Sequence, residues 1–265
     1  MSATKIVAVV NQKGGVGKST TAAALVAGVS LRGLRALAID LDPQGNLSHS
    51  MGAGGAELSA MDVLTGTATA ADTIIQTERG NLIPSSQALT GADARITETG
   101  KEYRLKEALE PIKGNYDVIV IDTPPALGIL VANALTAATG AIIPAQADTY
   151  SLQGIGLLYQ TVQAIRKYCN RDLGIDGILL TRHSPRSVIS RDMAAMMEDT
   201  AEQMNTRVFK SAIRECVAVK EAQAVRQDIF TYAPKSNAAT DYAALISEYL
   251  QNESETKAEP EGGQA

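Results

Sequence analysis

Glycine, lysine and hydroxyl side chains lie close together near the N-terminus, where residues 11–21 read Asn-Gln-Lys-Gly-Gly-Val-Gly-Lys-Ser-Thr-Thr. Glycines let a backbone turn tightly and direct several N–H groups at one point, and a helix that follows adds the positive field of its N-terminal end. Lys18 can reach the β- and γ-phosphates of a nucleotide, and the Ser19 hydroxyl suits Mg²⁺. The segment therefore predicts a phosphate site with contacts from Gly14, Gly15, Val16, Gly17, Lys18, Ser19 and Thr20.

Carboxylates stand at the ends of two apolar segments further along the chain. Asp40 and Asp42 follow the run 36–39 at alternate positions, so they point the same way, and Asp122 ends the run 116–121. In an open α/β sheet, ligands lie at the carboxyl ends of the strands. Mg²⁺ prefers oxygen ligands and keeps much of its water. We therefore assign Asp122 to Mg²⁺ with Ser19, and Asp40 is a candidate for the water shell of the ion.

Turn formation is the alternative role for these carboxylates. Asp42 precedes Pro43, and Asp122 precedes Thr123 and two prolines, which are common arrangements in loops. The phosphate loop in the same chain favours the metal role for Asp122, while for Asp40 and Asp42 the residues alone leave both roles open.

Apolar runs and helical patterns alternate along the chain, which predicts how these residues are positioned. The predicted strands are residues 5–10, 36–39, 116–121, 141–144 and 175–181. The predicted helices are residues 19–31, 101–110, 150–168 and 187–204, with a last helix around 242–250. Near-continuous apolar strands are typical of parallel sheets that are covered on both faces. The predicted fold class is α/β: a mostly parallel twisted sheet with helices on both faces, as in P-loop NTPases.

The composition favours one domain. The chain has 265 residues, 45% of them hydrophobic, and no proline- or serine-rich linker divides it. We expect a single ATPase domain over residues 1–250. Residues 251–265 contain four glutamates and one lysine without an apolar face, which predicts a disordered acidic tail.

Several classes of protein are disfavoured. A net charge of −5 creates no global attraction to nucleic acid or to acidic membranes, so any such binding needs a local patch. Cys169 and Cys216 lack metal spacing and are read as small apolar residues of a reducing compartment. The chain shows neither a leader pattern nor an apolar run of membrane-spanning length. We expect a cytoplasmic protein that does not bind membranes.

The phosphate loop departs from the usual G-x-x-x-x-G-K-[ST] pattern, because Gln12 stands at the first glycine. The form Lys-Gly-Gly-Val-Gly-Lys-Ser, with Lys13 as a second lysine, resembles the deviant phosphate loop of the ParA/MinD family of ATPases. The resemblance implies ATP and Mg²⁺ as cofactors and a homodimer in the ATP state, in which Lys13 crosses to the nucleotide of the other subunit. The segment 40–46 is also similar to the family, which implies that Asp42 orients the attacking water. The catalytic residues implied are Lys13, Lys18 and Asp42.

The resemblance extends to about residue 250, through Ile-Asp-Thr-Pro-Pro at 121–125 and Tyr-Ala-Pro-Lys-Ser at 232–236. These motifs together resemble the small form of the ParA-type partitioning ATPases. That likeness implies non-specific DNA binding, a ParB-like centromere-binding protein as partner, and association with the nucleoid when ATP is bound. The implied function is the partitioning of a plasmid, a chromosome or a mobile element.

The predicted DNA contacts come from a basic region between residues 182 and 226. They are Arg182, Arg186, Arg214, Lys220 and Arg226. Eight basic residues lie in this region, but six acidic ones lie there as well, so a mixed solvated surface is the alternative. An arginine that contacts DNA in the family aligns here with Ala218. The acidity and Ala218 favour a second hypothesis, an ATPase that positions a protein complex without binding DNA. A redox ATPase like the nitrogenase iron protein is disfavoured, because Cys169 and Cys216 lack the spacing of metal ligands.

Overall fold

The computed structural model describes residues 3–184 and 188–256. The strands of this part are β1 Lys5–Val9, β2 Ala36–Asp40, β3 Ile75–Thr77, β4 Gly80–Ile83, β5 Val118–Asp122, β6 Gly140–Gln146, β7 Gly177–His183 and β8 Ile213–Arg214. The α-helices are α1 Lys18–Ser30, α2 Asn46–Ser50, α3 Ala60–Thr65, α4 Ala70–Thr73, α5 Ala92–Arg95, α6 Arg104–Leu109, α7 Ile129–Ala137, α8 Thr149–Tyr168, α9 Val188–Gln203, α10 Val217–Ala224, α11 Ile229–Tyr232 and α12 Asn237–Thr256. Short 3-10 helices lie at Gln87–Gly91, Lys101–Tyr103 and Lys113–Asn115.

The strands form one sheet in the order β3-β4-β2-β5-β1-β6-β7-β8. Only β3 runs antiparallel to its neighbour, and the other neighbouring strands are parallel. The predicted α/β fold class is therefore confirmed. The phosphate loop follows β1 at the centre of the sheet, and Asp40 of β2 pairs in register with Asp122 of β5. Parallel register thus brings two of the predicted carboxylates to the same edge.

Helices cover both faces of the sheet, and alternate strand residues supply the two cores. Ile6 and Ala8 of β1 face a core shared with α6, α7, α8 and α9. Val7 and Val9 face a second core, shared with α1 and α12. Side chains two apart on a strand share a face, so Asp122, like Val120, lies on the α1 side. This explains why the carboxylate is directed toward the helix that begins at the phosphate loop.

Three details differ from the sequence-based expectations. The antiparallel hairpin β3–β4 was not predicted, because β3 is too short to show alternation. The helix predicted at residues 101–110 is a 3-10 turn followed by α6. The last helix was expected near 242–250 and runs to Thr256, past the expected domain boundary. The remainder of the expected tail, residues 257–265, lies outside the described residues.

Gly28 allows α1 to pack closely on α12, which predicts a cost for any larger side chain. A Cβ at Gly28 would lie 2.2 Å from Ile246 Cδ1 and 3.2 Å from the Phe230 ring. Ile246 is fully buried, so it has no open space into which it can move. Gly28→Val should lower the free energy of unfolding by about 1–3 kcal/mol through overpacking. Urea unfolding measures this change as a lower midpoint. Gly114→Val, where a Cβ meets nothing within 4 Å, is the control, and equal midpoints for the two variants would contradict the packing argument.

Candidate functional site

The phosphate loop has the backbone conformation that its glycines predict. Gly15 and Gly17 have φ of 74° and 91°, in the left-handed region that side chains disfavour. Gly17 directly precedes α1, whose first N–H groups have no partner within the helix. The Thr181 hydroxyl of β7 donates to the Val16 carbonyl at 2.8 Å and fixes the loop on the sheet. A helix start with free N–H groups behind a fixed glycine turn is suited to bind an anion.

Lys18 and Asp122 lie buried beneath this loop. Lys18 is 6% exposed, and its ammonium donates to the Lys13 carbonyl at 3.1 Å. Asp122 is fully buried, and neither of its carboxylate oxygens has a hydrogen-bond partner among the described residues. Burial raises the pKa of Asp122 well above its usual value, and the Asp40 carboxylate adds to the rise, while Ser19 and Lys18 oppose it. An unpartnered buried carboxyl group is costly unless a cation or water satisfies it.

These features fit Mg²⁺ at the loop. The part of the chain that the structure describes contains no cluster of three or more His, Cys, Asp or Glu residues that could hold a metal alone. Mg²⁺ usually keeps several waters and binds through substrate phosphates with one or two protein oxygens. Ser19 and Asp122 are the predicted contributors of this chain. When bound, the ion would neutralise phosphate charge. Their assignment to the metal stays a prediction.

The Asp40 carboxylate accepts hydrogen bonds from two neighbouring segments, which the sequence did not indicate. Its carboxylate accepts hydrogen bonds from the Ser48 N–H at 2.8 Å, from the Ser48 hydroxyl at 2.7 Å and from the Asp42 N–H at 3.1 Å. Burial raises the pKa of Asp40 to about 6, although the bonds from Ser48 oppose the rise. Asp40 thus holds α2 and the Asp42 loop together. Its membership of the Mg²⁺ water shell stays a prediction.

Asp42 lies beside the phosphate loop. It is 7% exposed and lines the cavity that is also lined by residues 14–20. Its Oδ1 accepts a hydrogen bond from the Gln44 N–H at 3.0 Å, which fixes the side chain against its own loop. The structure therefore brings Lys18, Ser19 and Asp42 to one cavity, as the sequence predicted. The role of Asp42 in hydrolysis is a separate prediction.

The Lys13 ammonium has a partner that sequence reasoning missed. Its ammonium donates to Asp148 Oδ2 at 2.5 Å. Asp148 also caps α8, because its Oδ1 accepts a hydrogen bond from the Ser151 N–H at 2.8 Å. The sequence signal was an aspartate three residues before a serine at a helix start, which indicates a cap but not a lysine partner.

Three of the predicted DNA-binding residues lie together at the cavity of the phosphate loop. Arg182, Arg214 and Lys220 line the same cavity as the phosphate loop. The Arg214 guanidinium is held by Asp241 through Nε at 2.9 Å and Nη2 at 2.6 Å. Arg226 is exposed, just after α10, and has a left-handed φ of 55°. Arg186 lies outside the described residues.

A hydrogen bond that the sequence did not predict connects α10 to the phosphate loop. Gln223 Nε2 donates to the Thr20 hydroxyl at 2.9 Å. Because Lys220 and Ala218 are on the same helix, the element predicted to face DNA is attached directly to the first turn of α1.

The fold and the site define a P-loop ATPase, and comparisons with known proteins specify the family. The profile of a family described as "AAA domain" matches residues 4–175. Sporulation initiation inhibitor protein Soj of Bacillus subtilis is 39% identical over 253 residues, which cover 94% of this chain and 99% of that protein. Chromosome partitioning protein ParA of Caulobacter vibrioides is 34% identical over 261 residues, covering 96% and 97%. The chain belongs to the ParA/MinD family of P-loop ATPases.

Solved structures agree with this assignment. Cobyrinic acid a,c-diamide synthase from Mycobacterium smegmatis, with bound ATP analog and magnesium, has a TM-score of 0.84 and 32% identity, covering 98% of this chain and all of that one. The cell division ATPase MinD of Pyrococcus furiosus has a TM-score of 0.77 at 24% identity, covering 94% and 99%, and shows the fold alone. The predicted ATPase class, with ATP and Mg²⁺ as cofactors, is confirmed at the level of the family. Within the described residues, no helix has both the length and the apolar character of a membrane span.

Proposed function

We propose that this protein is a partitioning ATPase that dimerises with ATP, binds DNA without sequence preference, and segregates a plasmid, a chromosome or a mobile element. Its stimulating partner would be a ParB-like centromere-binding protein, and the ATP-bound form would associate with the nucleoid. Near full-length similarity to a chromosome partitioning protein supports the proposal. The observation that carries the dimer is the position of Lys13, whose ammonium contacts Asp148 instead of its own phosphate cavity.

The proposed division of labour follows from the cavity. The loop N–H groups and Lys18 would bind the phosphates, and Ser19 and Asp122 would hold Mg²⁺ with its water. Asp42 orients the attacking water from the α2 side of the cavity. Lys13 approaches the nucleotide of the other subunit. Phosphoryl transfer depends mainly on positioning and charge stabilisation, and these contacts would supply both.

The proposed DNA surface consists of exposed cations on and after α10 and at the end of β7. Lys220 and Arg226 are exposed, and Arg182 is exposed at the end of β7. Arg214 contributes less free charge, because Asp241 holds its guanidinium. Each monomer of this acidic protein thus presents only a few free cations on this surface. A dimer presents twice as many, so DNA binding should depend on ATP.

DNA binding should rise with ATP and fall steeply with salt. Each neutralised phosphate releases counterions, which gives a log–log slope of about −0.9 per contact. The double variant Lys220→Ala, Arg226→Ala should flatten this slope by about two units, or by about four if both subunits contribute. Fluorescence anisotropy with duplexes of scrambled sequence measures the slope, and all sequences should bind alike. Lys106→Ala with Arg171→Ala, which removes two exposed cations elsewhere, is the charge-matched control.

A positioning ATPase that recognises a protein complex without DNA is the second candidate. The net charge of −5 and Ala218 at the expected arginine position favour it. ATP-independent DNA binding, or no binding at low salt by a demonstrated dimer, would contradict the DNA surface and support this candidate.

A further inference from the structure

The ion pair between Lys13 and Asp148 joins two elements that flank the phosphate cavity. Lys13 lies in the loop after β1, and Asp148 lies between β6 and α8. Asn11 connects the same elements, because its Nδ2 donates to the Pro144 carbonyl at 2.7 Å and its Oδ1 accepts from the Lys13 N–H at 2.9 Å. The Asn11 side chain therefore joins the loop of Lys13 to the strand that leads to Asp148.

The pair is strong enough to orient Lys13 and weak enough to break. The side chains are 30% and 34% exposed, so water screens the attraction. Burial opposes ionisation of Asp148, but the Lys13 ammonium and the Ser151 N–H hold its pKa below the usual value. Asp148 is therefore a carboxylate at neutral pH, and it competes for the same ammonium that the proposed dimer requires.

In the monomer, the competition for the Lys13 ammonium favours Asp148. Asp148 is on the same subunit as Lys13, so their contact has no cost of association. A second copy offers Lys13 a phosphate group only after the two subunits have met. The attraction of the ammonium to that phosphate must then exceed its attraction to the Asp148 carboxylate. Every symmetric dimer breaks two such pairs, one in each subunit.

We propose that Asp148 is a positioning residue for Lys13 that sets the protein concentration at which ATP-bound copies associate. The inference rests on the proposed homodimer and deepens it. By holding the ammonium in its own subunit, Asp148 disfavours encounters that offer Lys13 a weaker anion than the ATP phosphates. In a complex other than the ATP dimer, Lys13 would leave the Asp148 carboxylate without its partner, and this loss destabilises that complex.

Asp148→Asn tests the inference, because the amide oxygen can still cap α8 through Ser151 while the negative charge is lost. Sedimentation equilibrium with a non-hydrolysable ATP analogue and Mg²⁺ gives the dimerisation constant. Breaking one partly exposed pair weakens dimerisation by a factor of about three to five. Because the variant has no such pair to break in either subunit, its dimerisation constant should be tighter by about 10- to 25-fold. Asp117→Asn removes the same charge from a pair with Arg35 and should leave the constant unchanged.

A double-mutant cycle separates this role from a merely structural one. Lys13→Ala should stay monomeric with the ATP analogue, and adding Asp148→Asn to it should not restore the dimer. Acylation of Lys13 by an amine-reactive reagent, measured by mass spectrometry in the ADP-bound monomer, should be faster in Asp148→Asn. This second measurement does not depend on dimerisation.

The outcomes distinguish the inference from the proposed function. If the wild-type protein dimerises with the ATP analogue but Asp148→Asn changes the constant less than about twofold, or weakens it, the inference is wrong and the dimer stands. If the wild-type protein stays monomeric, the proposed dimer fails and the inference fails with it. Equal rates of Lys13 acylation in both proteins would show that the ion pair does not form in solution, and the inference would be wrong.

Discussion

Asp42→Ala should bind ATP with nearly the affinity of the wild type and hydrolyse it on the order of 10²–10⁴ times more slowly. The phosphate loop, Lys18 and the metal site remain in this variant, so the contacts that bind the nucleotide persist. What is lost is the carboxylate that lines the cavity from the Asp42 loop and that we propose orients the attacking water. Equilibrium binding of a fluorescent ATP analogue and steady-state phosphate release measure the two effects separately.

Two further variants sharpen this test. Asp42→Asn keeps an oxygen that accepts from the Gln44 N–H, so it preserves the loop but should lose hydrolysis as well. Lys18→Ala should lose both binding and hydrolysis, because the ammonium proposed to contact the phosphates is removed. An Asp42→Ala protein that hydrolyses ATP at the wild-type rate would exclude Asp42 from its proposed role.

Removal of the Lys13 ammonium should abolish the ATP-dependent dimer while leaving nucleotide binding intact. Removing the cationic partner of a buried phosphate typically weakens association by about 2–5 kcal/mol, or roughly a factor of 30 or more in affinity. A symmetric dimer loses two such contacts. Lys13→Ala and Lys13→Gln should therefore be monomers that still bind ATP. Light scattering in the Asp42→Ala background, which keeps the ATP state, measures the change.

The control for this experiment is a lysine that takes no part in the site. Lys113→Ala removes an exposed ammonium that pairs with Glu110 at the other end of the sheet, and it should leave the dimer unchanged. A dimer that survives the loss of Lys13 with the same dissociation constant would count against an interface built across the two nucleotides.

The sequence predicted the central strands and the residues at their ends because both signals are local. An apolar run that ends at Asp122 is typical of a buried parallel strand with a ligand-facing carboxylate, and the phosphate loop is a short contiguous motif. The convergence of Asp42, Lys18 and Ser19 on one cavity then follows from parallel topology. The family resemblance supplied the roles, which no local pattern contains.

What the sequence did not predict depends on contacts between distant segments. Lys13 and Asp148 are 135 residues apart, and only the pairing of β1 with β6 brings them together. Arg214 appeared as a free cation, but Asp241 of α12 holds it with hydrogen bonds to its side chain and its N–H. Charge counts in a window cannot show such pairs, because each partner comes from a different part of the chain.

The parallel register of β2 with β5 also determines which changes of chain length the catalytic centre tolerates. Asp40 and Asp122 are aligned partners, and a strand turns successive side chains to opposite faces. One inserted residue within β5 would therefore direct the Asp122 carboxylate into the core shared with α7, away from α1. The same insertion near Gly54, in a surface turn where a Cβ meets nothing within 4 Å, leaves the alignment intact. Variation in length among functional homologues is thus expected in the segment between α2 and α3 and excluded from the central strands.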